Sequence, residues 1–115
     1  MTYENLQRPK LTGSEKWGQW ANEIRERKLA DLEQRRLRSV RNLEREEAAF
    51  AGPTPPLSAL DQRESLREAI ALCDEVAENL LQHADAKFWI DNRDVDFFAA
   101  AWRKLEQQKE ERDEI

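Results

Sequence analysis

Chemistry at a protein site needs particular side chains within reach of one another, and this chain supplies few. His83 is its single histidine and Cys73 its single cysteine. A cysteine nucleophile needs a base in hydrogen-bond reach. On one helix, positions 73 and 83 stand about 15 Å apart, so no such pair forms there. A zinc cage needs more histidine and cysteine ligands than the chain contains. Asp91-Asn92-Arg93-Asp94-Val95-Asp96 is a short acidic run. A calcium loop of the EF-hand kind wants glycine at its sixth position and glutamate at its twelfth. Those positions hold Asp96 and Trp102, and the aspartates read better as helix caps. No glycine-rich phosphate loop occurs. The expectation is a protein that is not an enzyme, with no catalytic residue, metal or cofactor.

Two further sets of residues suit binding. Arg27, Gln34, Arg38, Arg41 and Arg45 recur at helical spacing on one face, flanked by Arg35 and Arg36. Such a row can follow a phosphate backbone. The alternative is a solvated helix face, balanced by Glu33, Glu44, Glu46 and Glu47 and by an acidic second helix. The other set is Trp20, Arg25, Lys87, Trp89, Asp91 and Arg93. Tryptophan and arginine anchor many protein interfaces. Here the alternative is structural ion pairing, Lys87 with Asp91 at i, i+4 and Arg25 with Asp91 across the fold.

These residues must be positioned by a chain of 115 residues, enough for one small domain. Charged residues are 37% of it, against about 25% in ordinary domains. Glycine and proline are few, which favours long helices with solvated faces. The net charge of −5 gives no global attraction to nucleic acid or anionic lipid. The lone cysteine excludes an internal disulfide and suits a reducing, cytoplasmic setting. No signal-peptide pattern opens the chain, and no apolar run is long enough to span a membrane.

The expected architecture is all-α: a long antiparallel helical hairpin capped by an aromatic cluster and a C-terminal helix. Residues 1–12 form an extended arm. A single helical domain covers 13–105, with helices over 14–50, 58–84 and from 95 onward. Thr12 with Glu15 makes a capping box, with Ser14 a rival cap, and Ser58 with Asp61 makes another. Gly18 lets another backbone approach beside two tryptophans. Trp17, Trp20, Ala21 and Ile24 share one face, and Leu29, Leu32, Val40, Leu43 and Phe50 a second, rotated one. Leu66 to Ala84 forms a clean stripe on the second helix. Gly52-Pro53-Thr54-Pro55-Pro56 breaks the two apart, so they lie antiparallel. That register places Ile24 near Ala84. It brings Trp20 and Ile24 to Phe88-Trp89-Ile90, with Trp102 beside them. Three consecutive large apolar residues cannot share one helix face, so Phe88, Trp89 and Ile90 must be covered from several sides. Residues 106–115 form a charged helical tail that frays. Leu37 and Leu72 fall off their stripes at one level, which predicts a second apolar contact and a symmetric dimer.

Two stretches carry a resemblance. Gly13-Ser14-Glu15-Lys16 with Trp20-Ala21-Asn22-Glu23-Ile24-Arg25 resembles a run G-S-E-K-Q-x-x-W-A-E-x-I-R. Ala86-Lys87-Phe88-Trp89-Ile90-Asp91-Asn92-Arg93 resembles A-K-[FW]-W-I-D-x-R. Both patterns belong to small uncharacterised proteins of bacteria, phages and mobile elements. The chain departs from the first at Trp17 and Asn22. The resemblance implies an origin and no activity. The leading expectation is a non-enzymatic helical module that binds a protein partner or itself, as an adaptor or inhibitor of a host machine. The alternative is a nucleic-acid-binding accessory protein using the arginine row.

Overall fold

In the computed structural model, residues 3–53 and 55–113 are described. Met1, Thr2, Thr54, Glu114 and Ile115, which the sequence reading assigns to arm, link and tail, lie outside the described residues. The fold is all-α: α1 (Glu15–Ala49), α2 (Leu57–Leu80), α3 (Ala86–Asp91) and α4 (Phe97–Asp113), preceded by one 3-10 turn, Tyr3–Asn5. The molecule is elongated, 58 × 35 × 20 Å. Helices α1 and α2 pair antiparallel. Arg36 of α1 meets Asp74 of α2, and Glu47 meets Arg67. Near the turn, Arg63 donates to the carbonyls of Glu46 and Phe50.

Local chemistry explains where each helix starts and stops. Ser14 caps α1, its hydroxyl accepting from the Trp17 amide at 3.3 Å. Thr12 is not in a capping box. It forms a one-residue parallel bridge with Asp85. At the start of α2 the Ser58–Asp61 box does not form. Pro56 occupies the cap position in extended conformation, with no side-chain cap. A proline with fixed φ is already set for helix entry. Helix α2 ends at Leu80, before Ala84, because a short turn must free Asp85 to cap α3. The Asp85 carboxylate accepts from the Lys87 amide at 3.0 Å. Asp96 does the same for α4, accepting from Ala99 N at 3.0 Å.

The six-residue α3 solves the problem of three adjacent large side chains. Trp89 and Ile90 face inward, 0% and 4% exposed. The Trp89 indole donates to the His83 carbonyl at 3.0 Å. Phe88 is half-buried between His83, stacked at 3.8 Å, and Phe97. Ile24, Leu29, Leu32, Ala77 and Leu80 complete the core, and Trp102 packs on its edge.

Three sequence expectations are corrected by packing. The arm is not merely extended. Tyr3 is 1% exposed, and its hydroxyl donates to Asp74 at 2.8 Å. Second, the charged tail after Leu105 is helical and exposed as expected, but it does more than project into solvent. Helix α4 continues to Asp113 and runs back along α2, with Lys109 paired to Glu68. It covers Leu72, which is buried, so the Leu37–Leu72 dimer contact loses its premise. Leu37 alone remains exposed. Third, Gly18 serves no close approach, because a Cβ built there meets nothing within 4 Å.

Gly13 is the glycine the fold requires. Its φ is +128°, and an added Cβ would stand 3.3 Å from the Ala86 side chain. Gly13→Ala is therefore expected to destabilise by about 1–3 kcal/mol. Gly18→Ala should stabilise by up to about 1 kcal/mol through helix propensity alone. Urea denaturation of the two variants checks this, and a Gly13→Ala midpoint equal to wild type contradicts the first assignment.

Candidate functional site

The first turns of α1 leave two tryptophans on the surface. Their neighbours Ala21 and Ile24 face the core, 0% and 2% exposed. A helix that buries those two positions through α3 and the arm turns Trp17 and Trp20 toward its flank. They are 51% and 45% exposed. Their rings lie 6.3 Å apart, tilted at 55°. The Arg93 guanidinium sits 5.7 Å from the centre of the Trp20 ring. It also donates to the Ile90 carbonyl at 2.7 Å. That carbonyl belongs to the last turn of α3, whose end Asn92 closes by donating to Phe88 O at 2.8 Å. Arg93 is thus held in place over the tryptophan by the end of a short helix. Chemically this is an apolar ledge with a fixed cation, suited to contact and not to bond making.

The six residues singled out from the sequence separate on the structure. Trp20 and Arg93 meet. Lys87 and Asp91 are exposed on α3, and among the described residues they form no ion pair. Trp89 is sealed in the core, and its indole N–H is used by His83 O. Arg25 is 5% exposed and does not reach Asp91. Its guanidinium donates to Pro9 O at 2.7 Å and to Asn22 Oδ1 at 3.0 Å, while Nε has no protein partner. Burial lowers its pKa from the ordinary arginine value. Arg25 ties the arm to α1 and is not free for a partner. Trp17, by contrast, belongs to the ledge. Its spacing suggested core, and only the placement of α3 shows otherwise.

Elsewhere the surface offers less. A groove of about 320 Å³ runs between α1 and the loop before α4, lined by Lys28, Asp31, Arg35, Asp96, Phe97 and Phe98. Two of its three lining cations, Lys28 and Arg35, are already committed, and Arg38 is not. Lys28 Nζ donates to Val95 O at 2.6 Å, and Arg35 pairs with Asp96 at 2.6 Å while lying over Phe98. At the hairpin tip Phe50, Leu57 and Leu60 are exposed. Leu57 and Leu60 lie ahead of the stripe that begins at Leu66 and carried no sequence signal. Arg27, Arg38, Arg41 and Arg45 are all exposed along α1. Among the described residues, no three His, Cys, Asp or Glu side chains group closely enough to hold a metal ion. No helix among them is long and apolar enough to cross a membrane. No protein-family model, curated protein or solved structure matches this chain.

Cys73 is fully buried, and desolvation raises its thiol pKa from about 9 to about 11, with Asp74 adding to the shift. The neutral thiol is favoured in the folded state, so the linked stability is whole below pH 9. It is lost as pH rises from 9 through 11, where the unfolded thiol ionises first. The urea midpoint should fall across that window. Cys73→Ala removes this titration along with some packing, so its midpoint should fall less steeply between pH 9 and 11.

Proposed function

We propose that this protein is a non-enzymatic helical interaction module that recognises a protein partner through the Trp17–Trp20–Arg93 ledge. One observation carries the reading. Two tryptophans lie side by side, each about half exposed, on a long helix and under a fixed arginine. Buried aromatic and arginine side chains dominate binding energy at interfaces. A tryptophan loses little conformational freedom when it is covered. Exposing two of them beside each other is otherwise an unfavourable use of apolar area.

The resemblance to small bacterial, phage and mobile-element proteins supports the same place on the molecule. Its two stretches, Gly13–Lys16 with Trp20–Arg25 and Ala86–Arg93, adjoin at Gly13 and Ala86 and flank the ledge. An adaptor or inhibitor of a host machine from such a source would use a surface of this kind. The protein partner, and not the Leu37–Leu72 contact, is the favoured occupant, because α4 covers Leu72.

A photo-activatable side chain at position 17 or 20 tests this in cells. A single cross-linked protein is expected from these positions and not from position 57 at the hairpin tip. The purified partner should then bind wild type, with affinity reduced at least about tenfold by Trp17→Ser with Trp20→Ser, which removes about 1.4 kcal/mol or more. Equal binding by that variant, with α-helical content unchanged, would remove the ledge from the interface.

A further inference from the structure

The arginines of α1 and its neighbours fall into two groups. Every arginine between positions 8 and 93 outside one row has a partner within the fold. Carboxylates serve Arg8, Arg35, Arg36 and Arg67. Carbonyls serve Arg25, Arg63 and Arg93. The exceptions are Arg27, Arg38, Arg41 and Arg45. Among the described residues, none of these four donates a hydrogen bond or joins an ion pair, and all are exposed. At about 100° per residue they fall within roughly 60° of one another on the helix. Arg38, Arg41 and Arg45 span about 10 Å of axis, and Arg27 lies about 16 Å before them.

The middle of the row lies in an acid-free stretch, with Asp31 one turn from Arg27 and Glu44 and Glu46 flanking Arg45. From Gln34 to Leu43 the chain reads Gln-Arg-Arg-Leu-Arg-Ser-Val-Arg-Asn-Leu, with no Asp or Glu. Arg35 and Arg36 are drawn inward to Asp96 and Asp74. The uncompensated charge is therefore concentrated on the outer face, in a protein of net charge −5. The acids of α2 lie on a different helix, and Glu33, Glu44, Glu46 and Glu47 of α1 stand at other angles than the row, so the potential is divided and not cancelled. Hydrated arginines without partners bear little on folding stability, which leaves their alignment without a structural role.

We propose that Arg38, Arg41 and Arg45, extended by Arg27, form a binding site for the phosphate backbone of a nucleic acid. Along its axis a DNA strand presents a phosphate about every 3.4 Å. A straight helix with three guanidiniums in about 10 Å can follow such a line. A membrane surface is the poorer fit, because insertion wants apolar residues beside the basic ones. On this face the neighbours are Asp31, Gln34 and Asn42, with Leu37 beside Arg41 the single exposed large apolar side chain between Arg27 and Arg45. Contacts to phosphate alone carry no sequence information, so binding is independent of sequence. This site lies beyond the ledge and does not rest on the protein-partner reading.

Fluorescence anisotropy of the full chain with a labelled 30-base-pair duplex tests the proposal. Three or four phosphate contacts imply that affinity falls roughly 40- to 150-fold between 50 and 200 mM salt. Arg38→Gln with Arg41→Gln and Arg45→Gln should abolish most binding and reduce the salt slope to about that of one contact. Arg41→Glu alone should weaken it at least about fivefold. Arg103→Gln with Lys104→Gln, an exposed pair on α4, should bind as wild type. Thermal melting by circular dichroism confirms that each variant folds. No binding at 50 mM salt, a triple variant that binds as wild type, or equal loss from the α4 pair would each overturn the site. So would tighter binding to phosphatidylglycerol vesicles than to the duplex.

Discussion

One backbone junction holds this fold together. The Thr12 amide donates to Ala84 O at 2.7 Å, and the Ala86 amide donates to Thr12 O at 3.0 Å. These two bonds join the end of the arm to the turn between α2 and α3. They set where α1 begins, where α2 stops and how α3 is launched. Gly13 makes the approach possible, because its missing Cβ leaves room for Ala86 and its φ is open to glycine. The Ser14 and Asp85 caps stand on either side, so each helix that leaves the junction starts with a satisfied amide. The tryptophan ledge inherits its geometry from this point.

The arm depends on polar contacts that are unusually well buried for an end segment. Tyr3 sits in the core with its hydroxyl on Asp74, and Arg36 bonds the same carboxylate oxygen at 2.9 Å. Burial and the adjacent carboxylate both raise the Tyr3 pKa from its ordinary value. The phenol therefore stays protonated and donates. Arg8 bridges the arm to Glu26 of α1. Arg25 adds a buried cation whose bonds go to a carbonyl and an amide oxygen, with no carboxylate among them. An arrangement of this kind contributes specificity of docking more than net stability, since burying a guanidinium is costly. It fixes one position for a segment whose apolar side chains, Tyr3, Leu6 and Leu11, lie in or against the core.

Charge is also divided by the fold. Inward-facing arginines neutralise the acids that α2 and the α4 cap bring close, and outward-facing ones remain available. The aromatic groups divide in the same way. Trp89 is enclosed, Trp102 supports the edge of the core with its indole on Glu106, and Trp17 and Trp20 face outward. The two surfaces, apolar at one end of α1 and basic along its outer face, share one rigid helix of 35 residues.

Sequence by itself determined the all-α class, the hairpin break at Gly52–Pro56 and the antiparallel order of the long helices, because hydrophobic period and proline chemistry are local. It also marked Phe88-Trp89-Ile90 as a place where elements converge, because three adjacent large side chains cannot share a helix face. Which tryptophan is core and which is surface was not readable. Trp17, Trp20 and Trp89 all lie on plausible apolar faces, and only the docking of α3 and the arm chose among them. Tyr3 and Arg25 were equally hidden, since their partners Asp74 and Pro9 are set by how the arm lies and not by spacing. The exposed side of Leu72 disappeared under α4 because a charged helix with one Lys109–Glu68 pair and a short apolar face still finds a bed along α2. Periodicity assigns a side chain to a face of its own helix. Only tertiary structure decides what lies across from that face.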